Sequence, residues 1–417
     1  MTGPTHDPRE TRVCHVVYGR FPWDPRVRRE TEALARHGYL VDVVCLQETG
    51  RPRVEDHAGI RVLRLPFIAV RGSRLRYVYQ YALFFVLVSA FLARAARSYA
   101  IVHVHSLPDF LVFAALPARL LGRHAVLDLH ESMPELYLAR FNDRPRSLLY
   151  RITGIAQKLS CLFASAVVTV NPSIRRLLID RGIPEARVAV VENAPDWAEH
   201  PSAGPEDPGI PHRVTIVGGL NPERDLETVI RAAAEVRPHL DVRWRIVGHG
   251  ERGHRQRLEE LSLALGMHDR ISVESEVAYR AVPSLIAETT VGVVSYERNP
   301  LTEIATPNKA YEYALAGKPM VVADLRALRE LLGDSVLYYS PGDPKDLAAQ
   351  LVRLLPDAER RRGLAHLARE RMEAHRWEVM EDRLRRLYYQ LLRPHGSVVS
   401  EPASSASRSR ESRGESR

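Results

Sequence analysis

Short apolar runs alternate with segments of helical periodicity along most of the chain. The runs are rich in β-branched residues, which is typical of strands buried in a parallel sheet. In the first half of the chain they are Thr11–Tyr18, Val41–Leu46, Ala100–Val104, Ala125–Leu129, Ala166–Val170 and Val188–Val191. In the second half they are Arg213–Val217, Val242–Val247, Arg270–Glu274, Val291–Ser295, Pro319–Ala323 and Ser335–Tyr339. This alternation predicts an α/β fold of two doubly wound, Rossmann-like parallel-sheet domains.

Several helices between the runs have recognisable ends. Asp24-Pro25 supplies an N-cap and a proline at the first helical position, and His37-Gly38 ends the same helix. In the second half of the chain the predicted helices are Pro222–Val236, Glu251–Leu265 and Pro307–Ala316.

A proline-rich stretch interrupts the pattern. Five prolines fall within residues 195–211, so we predict a linker between one domain over 11–194 and another over 212–375. We expect a final helix, 376–392, to pack back on the first domain. The segments without apolar periodicity, which we expect to be disordered, are 1–10 and 393–417. Because doubly wound sheets bind ligands at the carboxyl ends of their strands, two facing domains predict a central binding cleft.

One apolar stretch is long enough to raise the question of a membrane. Tyr77–Ala93 contains no charged residue and is flanked by Arg71, Arg74, Arg76, Arg94 and Arg97. We expect a buried core helix here. A helix lying on a membrane surface and a transmembrane span are the alternatives that the sequence leaves open. If the helix lies on a membrane surface, the flanking arginines would give residues 71–97 a peripheral contact with anionic lipid.

Length, charge and cysteine content narrow the classes of protein. A chain of 417 residues, 45% hydrophobic, is about twice what one core serves, which agrees with two domains. The net charge of +8 favours anionic partners, but no basic run is interleaved with aromatic residues, so we do not expect nucleic acid to bind. The three cysteines are far apart in sequence, so we expect neither a disulfide framework nor a metal site, and we expect the protein to work in the reducing cytoplasm. Since the N-terminus has no apolar segment, we do not expect a signal peptide.

A lysine stands where a helix would be expected to repel it. If Thr306 is the N-cap and Pro307 the first helical residue, Lys309 falls in the first turn and opposes the helix dipole. An anion bound at the helix end removes the conflict, since backbone N–H groups and the ammonium would hold it together. The alternative is a lysine that points into solvent. Glu312 is, from its position alone, an ordinary surface carboxylate.

Two glycine-rich turns follow strands in the second domain. Gly218-Gly219 leads to Arg224, which is suited to bidentate contact with phosphate, although a solvated loop arginine is an equal alternative. Gly248-His249-Gly250-Glu-Arg-Gly253 matches the dinucleotide fingerprint in letters. Since it lies on the second strand–helix unit of its domain, we interpret it as a turn near a nucleotide rather than a dinucleotide site.

The first domain places a histidine at the end of a buried strand. Asp128-Leu-His130-Glu131 puts His130 and a carboxylate where this architecture carries its chemistry, as a base, an oxygen-binding donor or a capped core histidine. His103 and His105 alternate along another strand, which favours a structural role.

Several of these patterns together resemble glycosyltransferase family 4, the retaining enzymes of the GT-B fold. The resemblance covers about Val13 to Leu392. The segments that carry it, in chain order, are Asp24-Pro-Arg-Val-Arg28, Asp128-Leu-His-Glu131, Val191-Glu-Asn193, Gly218-Gly-Leu-Asn-Pro-Glu-Arg224, Ile246-Val-Gly-His-Gly250 and Thr306-Pro-Asn-Lys-Ala-Tyr-Glu-Tyr-Ala-Leu-Ala-Gly-Lys-Pro319.

The resemblance implies a metal-independent transfer of sugar from a nucleoside diphosphate sugar to a sugar, lipid-linked or small-molecule acceptor, without a further cofactor. Arg224 and Lys309 would hold the diphosphate, Glu312 the ribose, and His130 would face the transferred sugar. The positions implied for donor binding are Gly218, Gly219, Gly248, His249, Gly250, Glu303, Pro307 and Asn308. The positions implied on the acceptor side are Gly19, Asp24, Arg26 and Glu131.

This sequence departs from the family pattern at one functional position. The family pairs two glutamates eight positions apart, and Ile304 stands eight before Glu312, with Glu303 beside it. A branch of the family with Pro-x-Lys, here Pro307-Asn-Lys309, also lacks the first glutamate. The departure keeps open a nucleotide-sugar-binding module without catalysis, and an epimerase or hydrolase of the same fold.

Overall fold

The computed structural model describes residues 8–70, 74–141, 147–195, 212–250 and 252–393. The predicted linker lies outside the described residues except for Pro195, and the predicted disordered tail lies outside them except for Arg393. Of the N-terminal segment expected to be disordered, Pro8–Glu10 instead forms a 3₁₀ turn.

The first domain is built on an eight-stranded sheet. Its strands are β1 (Arg12–Val17), β2 (Leu40–Leu46), β3 (Val54–His57), β4 (Ile60–Leu65), β5 (Ile101–His105), β6 (His124–Leu129), β7 (Ala166–Thr169) and β8 (Val188–Val190). They lie in the order β3-β4-β2-β1-β5-β6-β7-β8, with every pair parallel except β3 and β4. Its helices are α1 (Pro25–Arg36), α2 (Arg74–Ala95), α3 (Leu116–Leu120), α4 (Met133–Phe141), α5 (Leu148–Phe163) and α6 (Pro172–Asp180).

The second domain has a six-stranded parallel sheet. Its strands are β9 (His212–Val217), β10 (Val242–Val247), β11 (Ile271–Glu274), β12 (Val291–Val294), β13 (Met320–Ala323) and β14 (Leu337–Tyr339), in the order β11-β10-β9-β12-β13-β14. Its helices are α7 (Leu226–Val236), α8 (Arg252–Ala264), α9 (Val282–Ala287), α10 (Asn308–Leu315), α11 (Arg326–Leu332), α12 (Pro344–Leu354) and α13 (Ala358–Arg371). A last helix, α14 (Trp377–Leu392), follows.

Helices cover both faces of the first sheet. On one face, apolar residues of α1 and α14 join β1 and β2 in a single cluster that includes Trp377 and Met380. On the other face, α2, α5 and the 3₁₀ segment Asp109–Ala115 pack on the same strands. The last helix of the chain therefore lies against the first domain, after the second domain is complete.

The antiparallel hairpin of β3 and β4 is missing from our sequence prediction. Its turn contains Ala58 and Gly59, both with positive φ, and its residues alternate between exposed and buried at the edge of the sheet. Since our prediction relied on continuous apolar runs, it could not detect an edge strand of this alternating kind.

Our expectation that Tyr77–Ala93 is a buried core helix is wrong. The helix α2 forms, but full burial is confined to one narrow stripe, Gln80, Phe84, Val88 and Leu92, at spacings of four residues. Val78 and Val86 are more than half exposed, at 65% and 58%. By length and composition alone, this helix is long and apolar enough to cross a membrane.

Candidate active site

A cavity of about 680 Å³ lies between the carboxyl edges of the two sheets, lined by residues of both domains. It brings together ten of the residues predicted from the sequence. From the first domain these are Asp24, Arg26, His130 and Glu131, and from the second Gly218, Arg224, Pro307, Asn308, Lys309 and Glu312.

Arg224 lines the cavity with nitrogens that are buried but have no hydrogen-bond partner among the described residues. A 3₁₀ turn, Pro222–Arg224, delivers it after β9, and the hydroxyl of Ser295 donates to its carbonyl at 2.7 Å. Its guanidinium carbon lies 4.5 Å from the centre of the Tyr296 ring, an attractive cation–π geometry. Its Nε and one terminal nitrogen are buried without a hydrogen-bond partner among the described residues. Because such groups are costly to leave unpaired, they are suited to an anionic ligand.

Lys309 lies beside Arg224 on the same aromatic ring. The N-cap of α10 is Pro307 rather than Thr306, so Lys309 is the second residue of the helix, one position earlier than predicted. It is 4% exposed, with its ammonium 5.5 Å from the Tyr296 ring centre, so the alternative of a lysine in solvent is wrong. Burial, and then the charge of Arg224, lower the pKa of Lys309 well below its ordinary value. A bound anion would favour the charged form.

Glu312 is also not the surface carboxylate that its position suggested. It follows Lys309 by three residues on α10, so both side chains lie on one helix face. It is 6% exposed and lines the cavity close enough to act electrostatically on both cations. The helix therefore presents an ammonium and a carboxylate side by side to the cavity.

The glycine turns serve mainly to bring backbone segments together. A Cβ at Gly248 would lie 1.7 Å from the carbonyl oxygen of Gly218, and one at Gly250 would lie 2.6 Å from the Cβ of Leu220. The backbone N–H of Leu220 donates to the carbonyl of His249 at 2.7 Å. The two turns are thus packed on each other, and Gly218 alone of these glycines lines the cavity, with a φ of 138° beside Lys309.

We expect Gly248→Ala to destabilise the second domain by at least about 3 kcal/mol, because the methyl group has no space beside Gly218. Urea unfolding measures the change. Gly253→Ala is the matched control, since a Cβ there meets nothing within 4 Å and alanine favours the helix. Equal unfolding free energies for the two variants would contradict the packing argument.

His130 is held by a network of buried polar groups in the first domain. Its Nε2 lies 3.1 Å from a carboxylate oxygen of Asp128 and 3.2 Å from Nδ1 of His105. Its backbone N–H donates to the hydroxyl of Ser106 at 3.1 Å. The side chain keeps 21% of its surface exposed, toward the cavity that it lines. His130 is therefore fixed in orientation yet accessible.

Arg26 supports this network rather than binding a ligand, because its guanidinium nitrogens already donate to groups of the protein. Two of its nitrogens donate to the two carboxylate oxygens of Asp128, at 2.9 and 2.6 Å, and the third donates to the carbonyl of Val191 at 2.8 Å. Burial would raise the pKa of the Asp128 carboxyl, but Arg26 and the neighbouring histidines lower it well below its ordinary value. Asp128 therefore stays ionised beneath His130.

Glu30, His103, His105 and Asp128 place potential metal-ligating atoms within 4.8 Å of one another. The guanidinium of Arg26 already contacts both carboxylates, with 3.1 Å to Glu30, and supplies positive charge there. Burial raises the pKa of Glu30, which favours its neutral form. A divalent cation would have to compete with a buried guanidinium in this cluster.

Family models match both halves of the chain. A model described as a glycosyl transferase 4-like domain matches residues 24–194, and one described as glycosyl transferases group 1 matches residues 211–357. The chain belongs to the family 4 type of GT-B glycosyltransferases.

Two curated glycosyltransferases are similar in sequence. An α-D-kanosaminyltransferase of Streptomyces kanamyceticus is 29% identical over 160 residues, which are 37% of this chain and 39% of that protein. A D-inositol 3-phosphate glycosyltransferase of Thermomonospora curvata is 26% identical over 222 residues, 50% of this chain and 49% of that protein. The chain therefore matches less than half the length of each of these relatives.

Solved structures share the GT-B fold over almost their whole length. The sucrose-phosphate synthase of Thermosynechococcus elongatus has a TM-score of 0.75 at 19% identity, covering 91% of this chain and 99% of that one. Anabaena HepE in complex with UDP-glucose has a TM-score of 0.68 at 17% identity, covering 91% and 99%. At these identities the likeness shows the fold alone.

Six of the predicted site residues lie outside the cavity. Glu303 accepts a hydrogen bond from the backbone N–H of Arg326 at the start of α11, where the helix dipole favours a carboxylate. It also pairs with Arg298. His249 is exposed and lies 3.8 Å from Glu276. The remaining four are glycines, Gly19, Gly219, Gly248 and Gly250.

Sequence reasoning missed several residues that shape the site. Tyr296, the ring under both basic side chains, lies two residues after β12, and an aromatic residue just past a strand's carboxyl end was the available signal. Asn171 caps α6 and its amide donates to the carbonyl of Ile304 at 2.8 Å, joining the two domains. Tyr311 likewise donates to Glu192 at 2.8 Å across the domain boundary. These contacts depend on tertiary structure and leave no local pattern.

Proposed function

We propose that the protein transfers a sugar from a nucleoside diphosphate sugar to an acceptor hydroxyl, with retention of configuration at the anomeric carbon. The observation that carries the proposal is a pair of basic side chains over one ring, the half-buried Arg224 and the buried Lys309, with two guanidinium nitrogens of Arg224 unpartnered among the described residues. A diphosphate brings negative charge and oxygen acceptors to such a pair. The curated relatives are named for glycosyl transfer, and HepE was solved with UDP-glucose.

The proposed chemistry follows from where charge develops. As the bond between the anomeric carbon and the diphosphate oxygen breaks, negative charge grows on the leaving group. Arg224 and Lys309, held over the Tyr296 ring, stabilise it with little reorganisation. The acceptor oxygen bonds to the same face of the anomeric carbon, and its proton passes to an oxygen of the departing diphosphate. We assign the ribose to Glu312 and the transferred sugar to His130. The loop at 248–250, which the resemblance implies for the base, lies outside the cavity and packs on the Gly218 turn that lines it.

We assign the acceptor to the first domain. His130 and Glu131 line the cavity there, beside the capping carboxylate of Asp24. Polar groups of this kind suit hydroxyl-bearing acceptors, which include sugars, lipid-linked sugars and small metabolites. We place the reaction in the cytoplasm at the inner face of the cell membrane, with a peripheral contact through 71–97, of which residues 71–73 lie outside the described residues.

Thermal unfolding of the full chain with UDP, GDP and their sugars tests the donor. We expect one nucleotide series to raise the unfolding temperature, since a ligand at about 100 times its Kd adds about 2.7 kcal/mol of stability. The stabilising donor is then assayed for transfer to acceptors of each class. No stabilisation by any nucleotide, and no turnover in a broad donor screen, would contradict the proposal.

A binding module without catalysis is the second candidate, and Ile304 is the observation in its favour. This residue, in place of a family glutamate, is 2% exposed and belongs to the apolar cluster of the first domain. Nucleotide binding without transfer or donor hydrolysis would support the module. An acceptor-free sugar product would instead indicate the epimerase or hydrolase.

A further inference from the structure

Helix α5 buries part of its polar face and exposes its apolar face, the reverse of the usual orientation of an amphipathic helix. Its buried residues are Gln157, Ser160 and Cys161, at 1%, 0% and 0% exposure. Its apolar residues face outward, and those at least 39% exposed are Leu148, Leu149, Ile152, Ile155, Leu159 and Leu162. The reason is a buried polar network, in which Gln157 donates to Asp109 at 3.2 Å and accepts from Arg181 at 2.7 Å. An outward apolar face is thus built into the fold.

Two further helices expose apolar side chains. On α2 the exposed residues include Leu75, Val78, Tyr79 and Val86, at 81%, 65%, 64% and 58%. Next to it, Leu116 and Leu120 of α3 are 48% and 77% exposed. Exposed apolar residues that occur singly need no explanation, but a cluster on neighbouring helices marks an interaction surface.

The three helices lie on the same side of the first sheet. The 3₁₀ segment Asp109–Ala115 packs between α2 and α5, with Phe110 against Phe85 of α2 and Phe113 against Phe163 of α5. Helix α3 continues from this segment and contacts α2. We call the outward faces of α2, α3 and α5 the apolar surface.

The charge of the apolar surface has one sign. The three helices contain no Asp or Glu, and the exposed charged residues described on them are Arg76, Arg94, Arg119, Arg151 and Lys158. A second copy of the chain would bring these cations against their own equivalents. Anionic lipid headgroups complement them, while the acyl chains accept the apolar side chains.

We propose that the apolar surface docks on an anionic lipid bilayer, with α2 and α5 lying in the interface. The inference extends to three helices the peripheral contact proposed above for α2, and it rests on that part of the proposed function. A spanning α2 would have to leave the stripe of Phe84, Val88 and Leu92 and the pair of hydrogen bonds, 2.7 and 3.0 Å, between Gln80 and the backbone of Val70. Interfacial docking keeps all of these contacts.

The buried faces of α2 and α5 contact segments of the first domain near the acceptor side of the cavity. Early turns of α2 contact Tyr18, which directly follows β1, through Tyr81 and Phe84. On α5, Gln157 accepts from Ser132, two residues after His130, at 3.3 Å. Tyr18 and Ser132 both follow strands at the carboxyl edge of the first sheet, the edge from which His130 and Glu131 line the cavity.

Vesicle co-sedimentation of the full chain tests the inference without donor, acceptor or turnover, so its result is independent of the proposed reaction. Vesicles of phosphatidylcholine are compared with vesicles of equimolar phosphatidylcholine and phosphatidylglycerol. We expect binding to the anionic vesicles that weakens at high salt. We expect Ile152→Ser with Ile155→Ser and Leu159→Ser to reduce it about tenfold or more, and Leu75→Ser with Val78→Ser and Tyr79→Ser to do the same.

Leu263→Ser with Leu367→Ser is the matched control, because these leucines are 63% and 51% exposed on the second domain. The control variant should bind vesicles like the parent chain. The inference is overturned if the parent chain does not bind anionic vesicles, or if the control loses binding as strongly as the test variants. It is also overturned if light scattering without lipid shows a dimer that the α5 substitutions dissociate.

Discussion

Replacing Arg224 with alanine is expected to lower kcat by about 10²–10³-fold, the loss typical of one preorganised electrostatic group. Two nitrogens of the guanidinium are buried beside Tyr296 without a hydrogen-bond partner among the described residues, and Arg224 lines the cavity. The side chain is held by the ring and the Pro222–Arg224 turn in the free protein. The positive charge is therefore positioned before the donor binds, and its removal takes away the stabilisation of the leaving diphosphate.

Lys309→Ala should reduce kcat by a similar factor. The double variant should lose less than the product of the two factors, because both cations act on one leaving group and lie over one ring. The measurement is single-turnover transfer from the nucleotide-sugar that the thermal screen identifies, with nucleotide affinity measured in parallel. Loss of affinity with unchanged turnover of bound donor would instead indicate a binding role alone.

Arg231→Ala and Lys345→Ala are matched controls for charge. Both residues are exposed in the second domain, on α7 and α12, and neither lines the cavity. They should retain the parent kcat. If they lost as much activity as Arg224→Ala, general electrostatic attraction of an anionic donor would explain the effect, and a local role for Arg224 would be refuted.

The positions of the strands were predictable because buried parallel strands leave continuous apolar runs in the sequence. Val242–Val247 was predicted to the residue, and most others within one or two positions. The hairpin of β3 and β4 was not predictable in this way, since only one face of it is buried. The N-cap of α10 was misplaced by one residue because Thr306-Pro307 favours an N-cap followed by a first helical proline, whereas the backbone of Pro307 is still extended and the helix begins at Asn308.

Burial of the site residues was less predictable than their presence in the cavity. The sequence indicated Arg224, Lys309 and Glu312, but it left solvated alternatives open for each. Burial of Lys309 depends on Tyr296, which is distant in sequence and meets the lysine only in the folded second domain. Glu303, which the resemblance implied for donor binding, lies outside the cavity, because its carboxylate accepts a hydrogen bond at the start of α11, the helix that follows β13.

Helix α5 shows a limit of periodicity arguments. Its pattern of Leu and Ile would predict an inward apolar face, with Gln157 and Ser160 in solvent. The structure has the opposite orientation, because Asp109, Ser132 and Arg181 form hydrogen bonds with Gln157 beneath the helix. A hydrophobic pattern therefore identifies an apolar face without telling whether protein or another apolar phase covers it.

Asp128→Asn is expected to destabilise the first domain by about 3 kcal/mol or more, because it leaves the buried guanidinium of Arg26 without its bidentate carboxylate. It also removes the charged partner of His130, so turnover should fall in the folded variant. Urea unfolding measures stability. Arg176→Ala is the control, since it breaks an exposed ion pair with Glu330 and should cost at most about 1 kcal/mol.

Glu30 makes this prediction sharper. Burial raises the pKa of Glu30, so near neutral pH the carboxyl is favoured in its neutral form and Glu30→Gln should have a small effect alone. In the Asp128→Asn protein, Arg26 would favour ionisation of Glu30, 3.1 Å away, and recover part of the lost pairing. Glu30→Gln should therefore cost much more in that background than in the parent chain. Strictly additive unfolding free energies would show that Arg26 does not link the two carboxylates.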